Sequence, residues 1–275
     1  MKLMLAGKVD FSKLRYPVYA SWKYDGIRAV MREEGLFSRT EKLIPNQFIQ
    51  NWARNILPDG WEGELLLNNP VAPYRQVASA VMSRDGEPNF LFMVFDICSP
   101  AWEFIPFAGR YQTISKNWDG RDYRLRDRLR IAMNQCLETE AAVRQAYDEA
   151  ISLGYEGLML RDPNGHYRRG RASSSTQELL KMKEVLDEEA TVLSVYEETM
   201  CDGTSRKKNR MGGFVARFDD GATFGVGTGF VAEERDAFWQ SPDLIVGKRV
   251  TIKYQPPREV GQAPRFPVFK GIRHD

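Results

Sequence analysis

The sequence predicts a mixed α+β domain over residues 1–186, followed by a small all-β barrel over 187–275. Three observations carry that prediction. The chain has 275 residues, more than the roughly 100 to 150 of a common single domain. Its first two thirds alternate short apolar runs with segments of helical spacing. After Asp187, Glu188 and Glu189 only compact strands and one short helix follow.

Taken in order, PVYASWKY (17–24) and AVMREEGLFSR (29–39) read as strand-type runs. Phe48, Ile49, Trp52 and Ile56, after Pro45, recur at helical spacing. WEGELLL (61–67) and FLFMVFDI (90–97) are short, apolar and bounded by turn formers, as buried strands are. Val143, Ala146, Tyr147 and Ile151 predict a helix over about 138–153, with Gly154 where a left-handed cap is common. YEGLMLRD (155–162) and ELLKMKEV (178–185) are two further apolar segments. Beyond them TVLSVY, GFVARF, ATFGVGTGF, RVTIKY and VFKGIR supply five strands, with a helix at about 233–239. Five such strands suit a barrel of the OB type, which often grips oligonucleotides.

Composition narrows the function. Hydrophobic residues make up 43% and charged residues 28%, as in a globular protein with ample core. No apolar run reaches the roughly 18 residues of a membrane span, so no membrane partner is expected. The apolar start is too short for a signal peptide, and a cytoplasmic monomer is expected. Cys98, Cys136 and Cys201 form no CxxC pair and read as ordinary buried thiols in a reducing compartment. The net charge is only +2, so affinity for nucleic acid must come from local clusters. Candidates are Arg206, Lys207, Lys208 and Arg210, and then Arg168, Arg169 and Arg171. A third stretch, Arg121, Arg124, Arg126, Arg128 and Arg130, is interrupted by Asp122 and Asp127 and reads as a solvated helix face.

The strongest local signal is Lys23-Tyr24-Asp25-Gly26-Ile27-Arg28, a KxDGxR hexapeptide at the end of a predicted strand. Its four specified residues coincide by chance about once in tens of thousands of positions. A lysine nucleophile must lose its proton, and its ordinary pKa is near 10.4. A neighbouring cation, either Arg28 or a bound Mg²⁺, would lower that value. Asp25 would orient the amine, and Gly26 would let the backbone turn beside a nucleotide.

The hexapeptide resembles the first motif of the covalent nucleotidyltransferases, and further motifs of the minimal, phage-like ATP-dependent DNA ligases follow in order. They are Phe37-Ser38-Arg39-Thr40, Glu62-Gly63-Glu64-Leu65, Phe95-Asp96, Glu156 to Arg161, Leu180-Lys181-Met182-Lys183, and Arg265-Phe266-Pro267-Val268-Phe269 ending in Arg273-His274-Asp275. The resemblance spans residues 23–275. It implies a nucleotidyltransferase (adenylation) domain with antiparallel sheets and helices, then an OB-fold domain. The implied activity is sealing of nicks in duplex DNA with ATP and Mg²⁺, or Mn²⁺ in its place.

The resemblance also assigns roles. Lys23 carries AMP, assisted by Asp25 and Arg28. Arg28, Glu64 and Glu156 bind the nucleotide, the two glutamates also serving Mg²⁺. Phe95 stacks on the base, Lys181 and Lys183 bind the α-phosphate, and Arg39 takes the 5′-phosphate of the nick. Arg273 and Asp275 orient pyrophosphate. Lys207, Lys208 and Arg210 are read from their charge alone as contacts to the DNA backbone. Two departures stand out. Glu41 occupies a position where the family commonly has glycine, and the lysine that usually follows the last aspartate has no counterpart after Asp275. Two sibling reactions, RNA ligation and mRNA capping by a guanylyltransferase, share the lysine motif and remain as alternatives. A non-catalytic OB-containing DNA-binding module is disfavoured by the full set of lysines and glutamates. NAD-dependent ligases are excluded by their extra domains and zinc-binding cysteines. His166 and His274 have no ligand spacing.

Overall fold

A computed structural model describes residues 2–117, 127–183, 185–199, 207–256 and 258–273. The chain divides into two compact units, Met1–Lys183 and Glu184–Asp275.

The first unit is built on two five-stranded sheets. One contains β2 (Gly7–Lys8), β3 (Val18–Trp22), β9 (Gln135–Leu137), β10 (Gly157–Arg161) and β12 (Leu180–Lys183), in the order β2-β12-β10-β3-β9. The other contains β4 (Ile27–Arg32), β5 (Gly35–Ser38), β6 (Trp61–Leu67), β7 (Phe90–Ile97) and β8 (Leu129–Ile131), in the order β5-β4-β6-β7-β8. Both are antiparallel except at one edge, where β2 joins β12 and β8 joins β7 in parallel. A short parallel pair, β1 (Met4–Leu5) with β11 (Gly170–Arg171), lies apart from them. The run at 29–39 is therefore a hairpin of β4 and β5, turned at Glu33 and Glu34.

Each sheet buries its apolar residues against helices. Helix α1 (Gln47–Ile56) is capped by Asn46, whose side chain accepts the Ile49 N–H at 3.0 Å. Its buried Ile49 and Ala53, and Val77 and Val81 of α2 (Tyr74–Val81), join Leu65, Phe90, Phe92 and Val94 in one core. Helix α3 (Phe107–Asn117) adds Ile114 to that core. Helix α4 (Glu140–Ser152) is capped by Thr139 and lays Val143, Ala146 and Ala150 on Val18, Ala20, Leu158 and Leu160. Gly154 follows it at φ +85°, as the left-handed cap requires.

The second unit contains β13 (Leu186–Thr199), β14 (Lys207–Phe218), β15 (Thr223–Val226), helix α5 (Ala232–Gln240), β16 (Arg249–Gln255) and β17 (Arg265–Ile272). The strand order is β15-β14-β13-β16-β17. The two edges meet where the Phe269 N–H donates to the Thr228 carbonyl at 2.9 Å. Phe214, Phe218, Phe224, Val250, Ile252 and Phe269 fill the interior. The acidic residues Asp187, Glu188 and Glu189 follow Leu186 as rungs of β13, opposite β16. Their carboxylates meet Lys270, Arg258 and Arg249 respectively.

Two sequence expectations need correction. Arg130 lies on β8 and Arg128 in the turn before it, not on a helix. Leu129 is buried between them, and the Arg128 guanidinium sits over Phe48 and Phe90 at 4.9 and 5.0 Å, which is cation–π packing, not solvation. Arg121, Asp122, Arg124 and Arg126 lie outside the described residues. Cys98 is buried as expected, but Cys136 is exposed on the edge strand β9, and Cys201 is outside the described residues. Among the described residues no helix is long and apolar enough to cross a membrane.

Candidate active site

Lys23 follows the last residue of β3, and backbone bonds tie it to β10. Its N–H donates to the Gly157 carbonyl at 2.8 Å, and the Glu156 N–H donates to the Lys23 carbonyl at 3.1 Å. This ladder brings the Lys23 ammonium against the Glu156 carboxylate as an ion pair. Gly157 permits the approach: it sits at φ +132°, and a Cβ there would lie 2.2 Å from the Met182 carbonyl oxygen. Gly26 is equally constrained, since a Cβ would meet the Leu65 carbonyl oxygen at 2.3 Å. Its N–H is instead free to bond to Glu64.

Burial pushes the Lys23 ammonium down to about 8. Glu64 and Asp25 oppose that shift, and Lys183 and Lys181 reinforce it. The cations that lower Lys23 are thus the two lysines of β12 and not the Arg28 expected from the sequence, which is otherwise engaged. The Arg28 guanidinium is ion-paired with Glu62, which is fully buried and also accepts the Tyr167 hydroxyl at 2.8 Å. Glu64 stands opposite Arg28 across β4 and β6. Burial raises its carboxyl to about 7 against the pull of Lys23 and Arg28.

Lys181 and Lys183 alternate along β12 and so share a face. Their partners across the ladder are Met159 and Gly157. Lys181 is lowered by burial first, then by Lys183, Arg171, Lys8 and Arg39. Arg39, exposed just beyond β5, therefore belongs to the same positive field. It lines a pocket with Lys2, Leu3, Leu5, Gly170 and Arg171. Of the basic run 168–171, Arg168 is paired with Glu178 and Arg169 with Glu103, leaving Arg171 to extend that field. Glu41 has φ +59°, so the loop after Arg39 keeps a glycine-like backbone although its residue is glutamate.

Phe95 is the one half-buried residue of the otherwise buried β7. It is unpaired in the ladder: Glu62 faces Asp96 and Gly63 faces Val94, so β7 bulges at Phe95. Bulges re-aim a side chain in this way. Behind it lies a network that sequence reasoning missed. Asp96 is fully buried and accepts Arg110 at 2.7 and 3.2 Å and Arg161 at 2.6 Å. The available signal was acidic residues, Glu62 and Asp96, inside apolar strand runs.

The remaining candidates belong to the second unit. Arg273 follows β17 and pairs with Glu189 at 3.2 Å. Lys208 and Arg210 are on β14, paired with Glu198 at 2.8 Å and Asp236 at 2.9 Å. The backbone of Lys207 is on the same strand, whereas its side chain, Arg206, His274 and Asp275 lie outside the described residues. Among the described residues no three His, Cys, Asp or Glu are grouped to hold a metal. Glu156 pairs with the Lys23 ammonium, and Glu64 on β6 acts on it electrostatically; Mg²⁺ is commonly held by one or two carboxylates together with substrate phosphates.

Residues 4–183 match the profile of the ATP dependent DNA ligase domain family. The chain belongs to that family. Residues 202–273 match the DNA ligase OB-like domain. A DNA ligase of Archaeoglobus fulgidus is 27% identical over 177 residues, 54% of this chain and 30% of that protein. One from Haemophilus influenzae is 32% identical over 114 residues, 42% of this chain and 37% of that protein. The matches thus span about a third of these curated relatives. Among solved structures, Chlorella virus DNA ligase-adenylate is 29% identical with a TM-score of 0.62, over 99% of both chains. A structure of the Lig E DNA ligases, described as DNA binding with a minimal scaffold, is 26% identical with a TM-score of 0.78, again over 99% of both. The α+β unit followed by an OB-like barrel is the architecture of this ligase family.

Proposed function

We propose that this chain seals nicks in duplex DNA with ATP, through AMP carried on Lys23. The observation that carries the reading is the partly buried Lys23 amine, lowered to about 8 and acted on by Lys181 and Lys183, in a chain of the ligase family. About a tenth of such an amine is neutral at pH 7, against well under a thousandth for an ordinary lysine.

In the first step the Lys23 lone pair attacks the α-phosphorus of ATP, a P–N bond forms, the P–O bond to the β-phosphate breaks, and pyrophosphate departs. Lys181 and Lys183 stabilise the charge that develops on the phosphoryl oxygens. Phe95 stacks on the base, Asp25 orients the amine, Arg28 contributes to nucleotide binding, and the two glutamates hold the ribose. Glu64 and Glu156 would hold Mg²⁺, which supplies charge neutralisation on the phosphates. AMP then passes to the 5′-phosphate of the nick, held by Arg39 as a planar, permanently charged fork. Finally the 3′-hydroxyl displaces AMP and the strand is closed. Arg273 and Asp275 serve the pyrophosphate, and Lys207, Lys208 and Arg210 serve the DNA backbone. The working form we propose is a cytoplasmic monomer, with a nucleotidyltransferase domain over 1–186 and an OB-fold domain over 187–275. A reducing compartment suits the free thiols of Cys98 and Cys136.

The test is sealing of a singly nicked duplex with Mg²⁺ and ATP, run beside Lys23→Ala. Sealing by the wild type alone is expected. A lysyl-AMP adduct without sealing would move the activity to RNA ligation, and adduct formation from GTP would move it to capping.

A further inference from the structure

We propose that Arg161 is a positioning residue for the nucleobase, acting through Phe95. The proposal rests on the reading of Phe95 as the base-stacking platform. The Arg161 guanidinium lies 5.8 Å from the Phe95 ring centroid and 4.4 Å from that of Phe107. The residue is only 4% exposed, so its charge approaches Phe95 from the protein side and leaves the solvent side of the ring for a base.

Two features fix it there. Its Nη1 donates to Asp96 Oδ2 at 2.6 Å, and Asp96 is itself held by Arg110 and by the Ile97 N–H at 2.8 Å. Asp96 also immediately follows the bulge that turns Phe95 outward. The Asp96 carboxylate therefore fixes the cation, and the bulge beside it sets the ring.

The chemical consequence follows from the charge distribution of aromatic rings. The faces of two stacked π systems repel through their negative quadrupoles. A cation on the protein side draws density from Phe95 and makes its outer face less negative, so an electron-rich purine stacks more strongly. Arg28, 5.6 Å from the same centroid, adds to this effect but also belongs to the nucleotide site. Arg161 has no such second role.

The decisive measurement is the KM for ATP in lysyl-AMP formation by the full chain, for Arg161→Met, Phe95→Leu and the double variant, with melting temperature recorded for each. Arg161→Met leaves Asp96 paired with Arg110, so no buried carboxylate is orphaned. The expected result is a KM raised about threefold by Arg161→Met, with kcat unchanged, and no further rise when it is added to Phe95→Leu. Arg161→Lys, which keeps the charge, should stay nearer the wild type and serves if the methionine variant does not fold. An equal effect of Arg161→Met in both backgrounds, or equal defects in the methionine and lysine variants, would overturn the role of Arg161 and leave Phe95 standing. A Phe95→Leu variant with unaltered KM would overturn the platform itself.

Discussion

At the scale of single residues, the site depends on burying charges that oppose one another. Because the Lys23 value is lowered, the neutral amine gains population as pH rises, and adenylylation should climb from pH 6 and level off above about 8. A profile still rising steeply at pH 10 would show an unperturbed lysine. Lys23→Arg should give no adduct by intact mass at any of these values, since guanidinium does not deprotonate. Glu41 offers a separate test. A glutamate at φ +59° carries a left-handed penalty that glycine avoids, partly offset by the entropy glycine loses on folding. Glu41→Gly should therefore stabilise the protein by about 0.5–1 kcal/mol in urea unfolding, with sealing retained. Lys23 stood out through its hexapeptide, whereas Glu64, Glu156, Lys181 and Lys183 were singled out only through the resemblance of the ordered motifs to the ligase family. Asp96, Arg110 and Arg161 were not, because which arginine meets a buried aspartate depends on three-dimensional approach across 14 and 65 residues of chain.

At the scale of elements, β10 and β12 form the plane on which the lysines are mounted. Gly157→Ala combines a positive φ with a Cβ placed 2.2 Å from a backbone oxygen. It should cost about 3 kcal/mol and depress adduct formation even where the fold survives, as urea titration and mass analysis of one sample would reveal. Strands β6 and β7 and helices α1 and α4 were readable because each carries a complete apolar run or period. The bulge at Phe95 was not, for a run such as FLFMVF holds no residue that marks where the ladder slips. Arg130 was misread for a related reason. Β-strand β8 has only three residues, too few to show alternation against a background of arginines.

At the scale of the whole molecule, a net charge of +2 leaves the DNA affinity proposed above to a few positions. Arg39→Ala should reduce the slope of log K against log salt by about 1 for nicked duplex. Lys208→Gln with Arg210→Gln should reduce it by about 2 if both side chains leave Glu198 and Asp236 for phosphate. An unchanged slope would mean that the acidic partners retain them, a competition invisible in a sequence where the acids lie 10 and 26 positions away. The backbone bonds between Lys23 and the segment Glu156–Gly157 have a consequence of another kind. Lys23 is not carried on a segment that can open by itself. Its amide and that of Glu156 are rungs of the same ladder, so they should resist hydrogen exchange together and be released together. On heating, the capacity to take up AMP should then vanish with the melting of this sheet, not ahead of it.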